Sequence, residues 1–171
     1  MKKLTAALVV AFLLFSCGPG DYDDIIESLP SFTTVQGIKV YVEEKNNPGP
    51  QTVGHWADLT VVFWKFHFPS WHACMNEKMQ RTKAYFVDDR WIIHSHFGEV
   101  AGVALGKNGK FYVLISYSEN IKFQHSRYIF MHELSHVFVG ECGGVWGNDG
   151  SHAIFKERGL WFYDSLLPKL N

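Results

Sequence analysis

The chain has 171 residues, 16 basic and 17 acidic side chains, a formal net charge of −1 and an aromatic content of 16%. Removing residues 1–16, for the reason given below, takes away Lys2 and Lys3 and leaves 14 basic against 17 acidic groups, a net of −3, which argues against a nucleic-acid partner. The 155 residues that remain are enough for one domain with a real core and too few for two.

Met1-Lys2-Lys3 opens onto an apolar run over residues 4–15, followed by Ser16-Cys17-Gly18. About a dozen apolar residues are too short for a permanent bilayer span and read as a secretory signal. The ending Leu14-Phe15-Ser16-Cys17 resembles a bacterial lipobox, in which the cysteine becomes the acylated first residue of the mature protein. Phe15 is larger than the usual residue at its position, and an ordinary cleaved signal peptide is the alternative. Both readings put the mature protein outside the cytoplasm. The lipobox implies a lipid anchor on Cys17, facing the periplasm or the exterior of a bacterial cell envelope, with the outer membrane preferred. Residues 17–35 then comprise the lipidated cysteine and an acidic, turn-rich tether, and residues 36–171 the domain.

Residues 38–42 alternate and predict a first strand, ended by Asn46-Asn47-Pro48-Gly49-Pro50. From about residue 53 to 66, Trp56, Leu59, Val62, Phe63 and Phe66 recur at three and four, which predicts an amphipathic helix. A partly helical connection follows through residues 69–79, then a strand over 83–87. Residues 99–106 and 110–116 flank Lys107-Asn108-Gly109, and Asn-Gly between apolar segments signals a hairpin.

Next comes the apolar run 128–139, interrupted by His132-Glu133-Leu134-Ser135-His136, the pattern HExxH. Ser126 is the expected N-cap of this helix and Gly140 its C′ residue. Histidines four apart lie about 40° from each other on one helix face, so both can reach one tetrahedral Zn²⁺. Glu133 sits beside the first histidine, placed to take a proton from a metal-activated water. Burying two histidines and a glutamate within one turn is costly without such a partner. A glycine-rich loop over residues 141–150 and a final amphipathic helix from about 153 to 167, stopped by Pro168, complete the chain.

Under the lipobox reading, Cys74 and Cys142 remain as a pair in an oxidising compartment and predict a disulfide. It ties the segment after the first helix to the loop beyond the HExxH helix. A bridge over 68 residues is worth roughly 3–4 kcal/mol on the chain-entropy model. The alternative makes Cys142 a metal ligand.

The order of these elements, with HExxH near its end, resembles a minimal zincin metallopeptidase domain, the match in sequence being confined to residues 132–152. The resemblance implies an α+β fold. A mixed, mostly antiparallel sheet packs on an N-terminal helix and the HExxH helix, with a C-terminal helix beyond. It also implies one catalytic Zn²⁺ with three protein ligands. Val139 and Cys142 stand where the metzincin pattern has Gly and His, so that subfamily is not matched. Small lipoprotein zincins carry a third histidine after a Gly/Asp-rich turn, which here is His152, with Glu157, Asp149 and Glu141 as alternatives. Asp149 is also a candidate partner for a ligating imidazole, and Ser151 or Asp149 a candidate cap for the last helix. The strand over 99–106 is the candidate substrate edge, where Gly102 and Ala104 either admit a peptide backbone or mark a bulge. His94 and His96 alternate and either line a cleft or lie on the surface. Tyr163 is a candidate donor that no feature places near the metal.

The function expected is that of a membrane-tethered zinc peptidase acting on peptides or proteins, with His132, His136 and His152 as ligands and Glu133 as general base. The alternative is a non-catalytic surface lipoprotein of the same fold that binds a protein partner.

Overall fold

The computed structural model describes residues 29–43, 47–87, 92–94, 98–116 and 123–159. The expected signal segment, Cys17 and the expected tether up to residue 28 lie outside the described residues. So do His96, Tyr163 and the end expected for the last helix.

The described chain runs β1 (Ser31–Thr33), β2 (Lys39–Val42), α1 (Pro50–His67), a 3₁₀ turn (Pro69–Trp71), α2 (His72–Gln80), β3 (Thr82–Val87), β4 (Ile92–His94), β5 (Gly98–Val100), β6 (Gly102–Lys107), β7 (Lys110–Ser116), α3 (Phe123–Gly143) and α4 (Asn148–Glu157). Five strands form one sheet in the order β1-β2-β3-β7-β6, and β4 and β5 pair separately. The β1–β2, β4–β5 and β6–β7 pairings are antiparallel, whereas β2–β3 and β3–β7 are parallel. The fold is therefore mixed α+β. The parallel β2–β3 pair requires a crossover, and α1 and α2 supply it.

One face of the sheet carries Val40, Val42, Ala84, Phe86, Phe111, Val113 and Ile115, packed with residues of α1, α2 and α3 into the main core. The opposite face carries Tyr41, Tyr85, Val103, Tyr112 and Leu114. Tyr41 stacks on Tyr85 with ring centroids 5.0 Å apart. This alternation is the period of two that a pleated strand imposes.

The first helix exists where its periodicity puts it but turns a different face inward. Val53, Trp56, Ala57, Thr60, Val61 and Trp64 are buried, at spacings of three and four that define one stripe. Of the expected stripe only Trp56 is buried, and Val62 and Phe66 are 64% and 81% exposed. Two apolar stripes compete here, and the one with both tryptophans removes the larger area from water.

The Asn108-Gly109 hairpin forms as expected: both residues have positive φ, 52° and 72°, and Lys107 pairs with Lys110 across the turn. The strand expected over residues 99–106 is broken at Ala101 into β5 and β6. Ser31–Thr33 join the sheet as an edge strand, so the folded domain takes in residues ahead of the boundary expected at 36.

The HExxH helix is longer than expected at both ends. It starts at Phe123, and Ser126 is buried within it rather than capping it. Gly140 is interior, and a Cβ there would collide with the Trp146 ring, so this glycine makes room for an indole rather than ending the helix. The helix stops instead at Gly144, φ 71°, with the Val145 N–H donating to the Val139 carbonyl.

Cys74 and Cys142 are joined by a disulfide, Cα–Cα 5.9 Å. It links α2 to the last turn of α3, not to a loop beyond it. Lys78 Nζ, 3.2 Å from Glu141 Oε2, reinforces the same junction. The glycine-rich loop is confined to residues 144–147, because α4 already begins at Asn148.

Candidate metal centre

Leu134, Val137, Phe138 and Val139 anchor α3 in the core, and this fixes where the polar residues of the same turns can point. Ser135 is fully buried. It accepts a hydrogen bond from Trp64 Nε1 at 2.8 Å and donates to the Met131 carbonyl at 2.7 Å, which locks the middle of the motif to α1. His132 and His136 project from α3 toward α4, where His152 stands in the first turns.

The three ring nitrogens converge. His132 Nε2 lies 3.1 Å from His136 Nε2 and 3.1 Å from His152 Nε2. Among the described residues this is the one group of three His, Cys, Asp or Glu side chains close enough to hold a metal ion. A tetrahedral ion bonded to nitrogen at about 2.0–2.1 Å sets its ligand atoms roughly 3.3–3.4 Å apart, close to what these imidazoles adopt. One Nε2 cannot satisfy two others by hydrogen bonding, whereas a cation accepts all three lone pairs. The donor set therefore fits a metal.

The surroundings are apolar. The Phe155 ring is 5.1 Å from the His132 ring, 4.8 Å from His136 and 5.6 Å from His152. Trp64 backs Phe155 at 5.7 Å. Burial lowers the His136 pKa to about 3, with His152 adding to the effect. Burial, then the His136 and His152 imidazoles, holds His132 well below its usual value. Neutral imidazoles are the form that binds metal.

Glu133, next to His132 on the same turn, is buried against β6. Burial pushes its pKa up to about 8, opposed by a hydrogen bond from the Ala104 backbone. Gly102 makes the approach possible: a Cβ there would lie 2.5 Å from Ile129 Cγ2 and 2.9 Å from Glu133 Oε1. The small residues of β6 thus receive a side chain of α3.

The alternatives for a third ligand are engaged elsewhere. Glu141 pairs with Lys78 and accepts from Trp146 Nε1 at 3.2 Å. Glu157 is exposed and 3.1 Å from Arg158 Nη2. Asp149 is exposed and outside the histidine group. Cys142 is held in the disulfide. His94 lies on β4.

Sequence reasoning missed three participants. Ser151, one of two candidate caps with Asp149, sits one turn into α4, whose N-cap is Gly147 without a side-chain bond. Its hydroxyl lies 3.0 Å from His136 Nδ1. Phe155 carried the signal i+3 from His152, the spacing that puts two side chains on one face. Trp64 carried no local signal, since its partner Ser135 is 71 residues away.

Comparison of the chain with protein-family models, with curated proteins and with solved structures finds no match.

Proposed function

We propose that this protein is a zinc-dependent peptidase of zincin type, held on the outer side of a bacterial cell membrane by lipid on Cys17. One observation carries the reading: three histidine nitrogens converge on a single point, and the helix turn that supplies two of them also carries the buried carboxyl of Glu133. Zinc is the preferred ion because imidazole nitrogen suits it, and three protein ligands leave the open position that catalytic zinc sites keep.

When bound, the ion supplies Lewis acidity, making a water more acidic and polarising a substrate carbonyl. His132, His136 and His152 would hold it, their Nε2 atoms being the ones that converge. Glu133 takes the proton of the attacking water on a carboxylate oxygen and returns it to the departing amine nitrogen. A nearby cation favours the ionised carboxylate, the form of Glu133 that can accept this proton. Phe155 and Trp64 keep water from the backs of the imidazoles, which keeps them neutral. β6 ends the sheet and lies against the helix that carries Glu133, so an extended peptide laid along this edge meets the base.

The test is zinc content and hydrolysis of an internally quenched peptide library by wild type, Glu133→Gln and His152→Ala. We expect one zinc in wild type and in Glu133→Gln, with hydrolysis reduced at least 100-fold in the latter, and strongly reduced zinc in His152→Ala. Full activity in Glu133→Gln refutes the role of the base, and full zinc in His152→Ala removes the third ligand. Zinc bound without hydrolysis of any peptide points to a binding protein built on the same site.

A further inference from the structure

We propose that Ser151 is a positioning residue for the metal centre, fixing the tautomer and orientation of His136. The inference rests on reading the three histidines as metal ligands, not on the peptidase assignment.

Ser151 is 1% exposed and His136 8% exposed, so neither side chain can turn to water for a partner. The Ser151 hydroxyl donates to the Gly147 carbonyl one turn earlier. A hydroxyl has one proton, so the same oxygen meets His136 Nδ1, 3.0 Å away, as an acceptor. His136 must therefore carry its proton on Nδ1, which leaves the Nε2 lone pair facing His132 and His152. The opposite tautomer would put two donorless atoms together at Nδ1 and a proton where the metal belongs.

Ser151 precedes His152 in the chain, so the first turns of α4 deliver a ligand and the group that orients a second ligand together. The Ser151 N–H also bonds to the Gly147 carbonyl, at 3.1 Å, which pins the serine from both its backbone and its side chain. Groups that orient ligating imidazoles typically contribute 10–100-fold to metal affinity.

The experiment uses the full-length protein in detergent. Zinc affinity is measured by competition with a chromophoric chelator for wild type, Ser151→Ala, Ser151→Thr and Ser151→Val, and histidine tautomers are read by ¹⁵N NMR of the metal-free forms. Thr and Val fill nearly the same volume and differ in the hydroxyl, so packing and hydrogen bonding separate. We expect 10–100-fold weaker zinc binding in the Ala and Val variants, near wild-type binding in the Thr variant, and the Nδ1–H form of His136 only where the hydroxyl is present. Wild-type affinity and an unchanged tautomer in Ser151→Ala overturn the proposal while leaving the metal site intact. Equal losses in the Thr and Val variants reduce Ser151 to a packing residue. Failure of the wild type to bind zinc removes both this proposal and the reading beneath it.

Discussion

Gly102 shows how one missing methyl group positions a catalytic candidate. Alanine there collides with Ile129 and with the Glu133 side chain, so Gly102→Ala should cost about 1–3 kcal/mol by overpacking. It should also depress hydrolysis while leaving zinc binding in place, because the atoms an added Cβ meets belong to Ile129 and Glu133 and to none of the three histidines. Thermal unfolding checks the first half, and zinc titration with peptide hydrolysis by the same variant checks the second. Glu133 also leaves a mark on stability. Its carboxyl is protonated in the native metal-free protein up to about pH 8, whereas in the unfolded chain it ionises near its ordinary value of about 4.3. Its contribution is therefore fully present below that value and is lost as pH rises through 8. Urea unfolding of metal-free wild type and Glu133→Gln at pH 5 and pH 9 should show the difference moving in favour of the glutamine at the higher pH. His136 acts in the opposite sense. Its native pKa is lowered to about 3, so its contribution is present above about 6.5 and is lost as pH falls from there toward 3.

At the scale of elements, the disulfide ties α2 to α3 and so braces the helix that carries two of the three histidines. Replacing Cys74 and Cys142 together by alanine should lower stability by about 3–4 kcal/mol, measured by urea unfolding, with the metal centre still forming in the folded protein. Helix existence was legible along the chain because apolar residues at three and four mark it regardless of which face turns inward. The inward face of α1 was not legible: two stripes share Trp56, and only the packing of Trp64 against Ser135 and Phe155 selects between them. Helix ends failed for a related reason. Ser126 and Gly140 are good cap residues by type, but one is buried by neighbours and the other is needed to admit Trp146. The hairpin at Asn108-Gly109 was legible because its signal is entirely local.

For the molecule as a whole, the candidate site was legible at His132, Glu133 and His136 because one helix turn sets their spacing. His152 needed the loop geometry, and the pairing of Cys74 with Cys142 needed only the count of cysteines and the compartment implied by residues 1–17. Ser151, Phe155 and Gly102 act through contacts between elements that spacing along the chain does not encode. Among the described residues, no helix is long and apolar enough to cross a membrane; the proposed attachment is read from the Leu14-Phe15-Ser16-Cys17 sequence. On expression in bacteria, the wild type should be found in the membrane fraction and, unlike it, a Cys17→Ala variant should not incorporate labelled fatty acid; equal labelling of the two counts against the anchor.

The short link at residues 144–147 joins α3 to α4, and the two helices are held together near the histidines by His152, Ser151 and Phe155. An ion shared by both helices would act as a clasp, and its removal would loosen α4 at that link. Chelation should therefore make the chain cleavable by added protease between residues 143 and 148, with zinc restoring resistance. A copy without its ion would then carry its own marker for disposal by any protease it meets, and possession of the metal would become the test of maturity.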